Sequence, residues 1–465
     1  MTASLLSQLK KKDLAQVGQE LHKFAAELFP ICRSITGNGL RQTLGLVGRR
    51  IPLQISEVPT GTPVFDWIVP KEWNVRDAYI KDPQGNRVVD FQRSNLHVLN
   101  YSLPVRDRMP LSDLKPHLFS LPNSPDRIPY RTSYYHENWG FCLSHEQLLS
   151  LEDGEYEVCI DSTLEPGRLT YGECFLPGSS RDEVLISCHA CHPSLANDNL
   201  SGVSVATFLA QLLSGCNLRY SYRFLFIPGT IGAITWLATN SEAVERVRHG
   251  LVLTGIGDAG AFHYKKSRRG DADIDRAAAH VVRHHDSNSE ILDFSPYGYD
   301  ERQYCSPGFN LPVGCLMRSV WGTFSEYHTS ADNLDFIKPE SLVRSLEVCA
   351  GIMDVLEGNR RYRNLNPYCE PQLGRRDLYR STGGESIGLE INARLWVLNF
   401  SDGEHSLLDI AERSGICFEA ISAAAALLEE RGLLSVVPDN GGGQSGRPIA
   451  NQQRKKDGNR TKVTH

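Results

Sequence analysis

Two compact apolar runs in the middle of the chain, Glu183-Val-Leu-Ile-Ser and Tyr222-Arg-Phe-Leu-Phe-Ile, constrain its architecture most, because Gly202 to Leu213 between them has a helical period. The strand, loop, helix texture extends from about Leu111 to Leu356 and predicts an α/β fold, a largely parallel sheet flanked by helices. In such sheets the working residues sit in loops beyond the carboxyl ends of strands. Two segments fall there, Ser187 to Gly202 and Pro228-Gly229-Thr230.

Around that body the texture changes. Leu14, Val17, Leu21, Phe24 and Leu28 recur at helical spacing until Pro30 stops them, so residues 1–50 read as an N-terminal helical part of the same domain. Short apolar runs broken by turn signals at 59–63 and 82–86 predict an inserted β-rich subdomain over 51–110, which leaves 111–360 as the main body. After a polar stretch, Arg360 to Glu385, three helices are expected at Ile391 to Phe400, Ser406 to Ser414 and Phe418 to Glu430, then a strand after Gly432. That order predicts a winged helix over 361–437. The remainder, 438–465, is rich in Gly, Gln, Lys and Arg, and is expected to be a disordered tail.

Composition excludes several function classes. A net charge of -6 gives no general attraction to nucleic acid or anionic lipid, and no segment has the length of a membrane span or the core of a signal peptide. A cytoplasmic protein is expected, with most of its 12 cysteines as buried free thiols. The third predicted helix of the winged module carries Glu419, Glu429 and Glu430 against Arg431, which would repel phosphates, so the module is expected to serve packing or homo-oligomer formation.

Four residues have the placement that a hydrolytic metal site needs, imidazoles and carboxylates converging from separate loops. His189 follows the first apolar strand, Asp198 lies in Asp198-Asn-Leu-Ser-Gly202, Asp258 follows the run Gly250 to Ile256, and His328 lies in Tyr327-His-Thr329. In this order and context the chain resembles the zinc-dependent aminopeptidase family, over about 111–356. More closely it resembles aminopeptidase-like bacterial proteins with an extra β subdomain and a winged helix, often placed near polysaccharide biosynthesis.

The resemblance implies a mixed sheet sandwiched by helices, one or two zinc ions, and hydrolysis of an amide or peptide bond next to a free amine. It implies that Asp198 bridges metals, that His189 and Asp258 bind one, and that His328 binds the other. The family's general base and second carboxylate ligand align with Gly229 and Thr230, which can be neither. Glu326 is the expected replacement base, with Glu301 the other candidate, and Tyr327 and Arg302 are the expected contacts to a peptide-like or aminoacylated small-molecule substrate. Cys191 stands where the family has a carboxylate orienting the histidine, and is read as a buried thiol; it or His192 could also ligate metal, at the risk of closing the site.

Two other readings compete. Cys188-His-Ala-Cys191-His192 fits a c-type haem attachment motif, although it directly follows an apolar strand run and the haem reading requires export, which is not expected from the N-terminal residues. The lost acidic pair also allows a binding scaffold without turnover. The aromatic strip from Pro129 to Phe141 either lines a substrate pocket or packs a subdomain junction.

Overall fold

The computed structural model describes residues 4–378 and 388–438; the tail from 439 onward, and part of the polar stretch before the winged helix, lie outside the described residues. At its centre are eight strands: β1 (Gln54–Pro59), β2 (Arg168–Leu176), β3 (Glu183–His189), β4 (Ser221–Ile227), β5 (Val247–Leu253), β6 (His263–Lys265), β7 (Glu290–Leu292) and β8 (Val313–Met317). Their order is β1-β2-β4-β3-β5-β8-β6-β7. The four central strands run parallel, with Glu183 opposite Ser221 and His189 opposite Ile227 at the two ends of one pair. Antiparallel strands close both sides, which makes the sheet mixed.

The apolar runs have a simple cause. Every residue of β3 and β4 is buried, because helices or sheets cover both faces. Successive side chains point to opposite faces: Val184, Ile186 and Cys188 enter one core, whereas Leu185 and, from β4, Leu225 and Ile227 enter the other. The first core is roofed by α1 (Leu14–Leu28), α2 (Gly202–Ser214), α3 (Asp273–His285) and α4 (Pro339–Gly358). The second lies under the helix Ile231–Thr239 and the smaller sheets.

The expected subdomain over 51–110 does not close on itself. Its first strand, β1, joins the edge of the main sheet, and the small four-stranded sheet takes a central strand, Glu155–Glu165, from beyond residue 110. Pairing between segments so far apart leaves no local mark, since each strand reads alike whichever sheet it enters.

The C-terminal module has helices α5 (Leu389–Phe400), α6 (Leu407–Ser414) and α7 (Phe418–Glu430). Ser406 caps α6 in a reciprocal box with Asp409, and Gly415 ends it in the left-handed conformation at φ 69°. Its three-stranded sheet is centred on Arg361–Asn364, within the stretch that the sequence marks only as polar. The module packs on the body: His280 accepts the Phe418 amide at 3.1 Å, and Arg276 reaches Asp409 at 2.5 Å and also Glu412. Among the described residues no helix is long and apolar enough to cross a membrane.

Candidate metal centre

The chain leaves β3 at His189 and forms an irregular turn before α2, and the motif Asp198-Asn-Leu-Ser-Gly202 is what shapes that turn. Asn199 Nδ2 donates to Leu253 O at the end of β5 (2.9 Å), and Ser201 Oγ donates to Asn197 O (2.7 Å). Gly202 is needed for close approach, because a Cβ there would lie 2.4 Å from Asn199 Oδ1 and 2.6 Å from Leu253 O. The buried carboxylate of Asp332 accepts the backbone N–H groups of Asn197 (2.6 Å) and Asp198 (3.0 Å). Asp198 is thereby held with its side chain facing three imidazoles.

His189 Nε2 lies 2.8 Å from Asp198 Oδ1, His328 Nε2 lies 2.9 Å from Oδ2, and His192 Nδ1 lies 3.4 Å from Oδ2. Burial by itself would raise the Asp198 pKa, but His192 and His189 hold it well below the ordinary carboxylate range. One donor atom from each of His189, His192 and Asp198 falls within 4.8 Å of the others, the spacing of ligands around a single ion. His328 stands outside that group, about a third exposed, on a loop that Tyr130 N binds through the His328 carbonyl (2.8 Å).

Aromatic rings enclose the cluster. Tyr299 stacks on His189 (4.7 Å, 13°), Tyr327 stacks on His328 (3.9 Å, 14°), and Tyr130 meets His192 and His328 edge-on. The aromatic strip therefore contributes to the site through Tyr130. Tyr299 was not among the expected site residues, since a lone tyrosine in a loop carries no motif.

Asp258 does not join the cluster. Its carboxylate already accepts from Asn197 Nδ2 (2.8 Å), Ser319 Oγ (2.7 Å) and Gly260 N (2.7 Å), which leaves it a structural brace for the turn. Glu326 faces Arg127 at 3.9 Å, and no described hydrogen bond or ion pair links it to the imidazoles. Glu301 is buried in an ion pair with Lys265 (2.7 Å), and the neighbouring Arg302 has a buried Nε without a partner. Neither Glu326 nor Glu301 is joined to the imidazole cluster by a described hydrogen bond or ion pair.

At Gly229 an added Cβ would stand 3.2 Å from His189 Cβ and 3.5 Å from Asp300 Oδ1, so another carboxyl borders the space where the family's acidic pair begins. Both oxygens of Asp300 are buried without a hydrogen-bond partner, and burial, then Glu301, raise its pKa to about 8. Cys188 and Cys191 are free thiols in the cores on opposite faces of the sheet, and burial pushes the Cys191 thiol up to about 12. That separation suits neither a haem attachment nor a redox pair.

The mixed sheet, its helical layers and the C-terminal module define an aminopeptidase-like protein with a winged helix. Within that class the chain belongs to the family described as a domain of unknown function (DUF4910), which matches residues 22–359; a winged helix-turn-helix family matches residues 360–436. A Clostridium acetobutylicum relative, named as a polysaccharide biosynthesis protein with an aminopeptidase-like domain, is 51% identical over 91% of this chain and 98% of its own. A crystal structure from that organism, named as a peptidase, aligns with a TM-score of 0.88 at 49% identity over 93% of this chain and 100% of that one. The zinc aminopeptidase BSAP of Bacillus subtilis aligns with a TM-score of 0.52 at 13% identity, over 73% of this chain and 95% of that one, and so shares the fold.

Proposed function

We propose that the chain is a metal-dependent hydrolase that cleaves an amide or peptide bond next to a free amine, using a single ion seated on His189, His192 and Asp198. The observation that carries this reading is the convergence of those three donors within 4.8 Å on a carboxylate held in place by Asp332. Two imidazoles and a carboxylate suit zinc, and a three-residue seat leaves a position open. The chemistry such an ion supplies is Lewis-acid polarisation of a carbonyl and activation of water.

A second ion would have only Asp198 and His328, because Gly229 and Thr230 bring no carboxylate, and Asp258 is engaged by three close donors instead of joining the first. In this reading His328 holds and moves a proton beside the substrate, a role supported by its partial exposure and its bond to Asp198 Oδ2. Tyr130 and Tyr327 pack against its ring and fix its orientation. The relative named for polysaccharide biosynthesis favours a small amide-bearing substrate over a protein chain.

Zinc analysis of the purified protein tests the reading. Bound zinc near one per chain is expected, lost in His189→Ala, His192→Ala and Asp198→Asn, and retained in His328→Ala, which should lose turnover on an aminoacyl panel instead. Zinc content untouched by the first three substitutions would remove the site. Bound zinc without turnover in the native protein would favour the scaffold reading, which Gly229 and Thr230 support.

A further inference from the structure

His192 lies past the end of β3, where no ladder of hydrogen bonds fixes its backbone. Its carbonyl is instead gripped by Arg33, a residue with no exposed surface that lies 159 positions earlier: Arg33 Nε donates to His192 O at 2.9 Å. The same guanidinium donates through Nη1 to Leu28 O (2.6 Å), at the carboxyl end of α1, where the helix dipole favours a cation. Asn100 anchors the Arg33 backbone in turn, Nδ2 donating to Arg33 O at 3.0 Å.

This is costly placement for a charge. The ionisable groups facing Arg33 are Cys32, Cys191 and Tyr130, none of them a carboxylate, and its Nη2 has no protein partner. Burying a cation without a counter-ion is unfavourable, and a hydrophobic side chain would join α1 to the sheet at lower cost. What an apolar residue could not do is hold two carbonyls, one on α1 and one on His192, at fixed separation.

We propose that Arg33 is the positioning residue that seats His192 in the metal cluster, tying the ligand's backbone to the end of the N-terminal helix. The proposal rests on the single-ion reading above. Its consequence is that metal affinity depends on a side chain that touches neither the ion nor a ligand's imidazole. Removing a group that orients a ligand typically weakens metal binding by about 10- to 100-fold.

The test is zinc competition against a chelating dye, with full-length native protein and the variants Arg33→Met, Arg33→Lys and Phe24→Ala. Phe24 lies in the core face of α1, and its truncation destabilises the same helix without touching His192. Zinc affinity is expected to fall by about 10- to 100-fold in Arg33→Met and less in Arg33→Lys, while Phe24→Ala loses thermal stability at native affinity. Native affinity in Arg33→Met, or an equal loss in Phe24→Ala, would overturn the proposal. If Arg33→Met does not fold, Arg33→Lys decides, because an ammonium lacks the planar fork that reaches the two carbonyls from separate nitrogens: weakened zinc binding supports the proposal and native affinity overturns it. A native protein that binds no zinc would instead sink the single-ion reading.

Discussion

Replacing Asp300 by Asn should make the body more stable than the native protein at alkaline pH and nearly equal to it in acid. The carboxyl is fully buried, neither oxygen has a partner, and its pKa is raised from 3.8 to about 8. Below about pH 4 it is protonated in both folded and unfolded chains and contributes no difference. As pH climbs toward 8 the unfolded chain releases its proton while the folded one keeps it, so folding loses ground, and above 8 the whole loss is present. Four decades of proton affinity at about 1.4 kcal/mol each set a ceiling of about 6 kcal/mol. For the body spanning residues 22–359, an unfolding entropy of about 2.1 cal/mol/K per residue converts that ceiling to about 8 °C. Melting curves of both proteins at about pH 5, 7 and 9, in buffers of equal ionic strength, measure the difference. A gap in melting temperature that stays constant across that range would refute the reasoning.

Glu183, fully buried and bonded to Arg223 (2.6 and 3.1 Å) and Arg246 (2.6 Å), should cost about 3–5 kcal/mol when replaced by Ala, because two cations lose their shared partner; chemical denaturation measures it, and a loss below about 1 kcal/mol would contradict the reading. Gly229→Glu should not restore an acidic pair: with its Cβ 3.2 Å from His189 and 3.5 Å from Asp300, it should lower melting temperature and zinc affinity together, and a gain in turnover would contradict this. Arg276→Ala should loosen the winged helix by about 1 kcal/mol, since its pairs with Asp409 and Glu412 are partly exposed; faster limited proteolysis at low salt, converging with the native rate at high salt, is the expected result.

How much was legible depended on how local the cause was. Asp198, Asn199, Ser201 and Gly202 shape one turn by contacts mostly within it and with the adjacent strand end, so the motif announces the turn. His328 was legible through its own motif. His192 stays an open alternative in the sequence, because its backbone is held by Arg33, far away along the chain. Asp258 has the expected position after its strand, but Asn197 and Ser319, each 61 residues away, take up its oxygens. The small sheet is legible in three of its strands within 51–110, but its fourth, Glu155–Glu165, is recognisable as a member only once paired with Glu72–Lys81.

The grip of Asp332 on the amides of Asn197 and Asp198 bears on how the protein is made. Those amides meet their acceptor only after a further 134 residues have left the ribosome. A chain halted before that point carries His189, His192 and Asp198 but lacks the carboxylate that holds two amides of their turn. That brace therefore belongs to the finished body, and truncations ending before residue 332 should hold the turn less firmly even where their strands have formed.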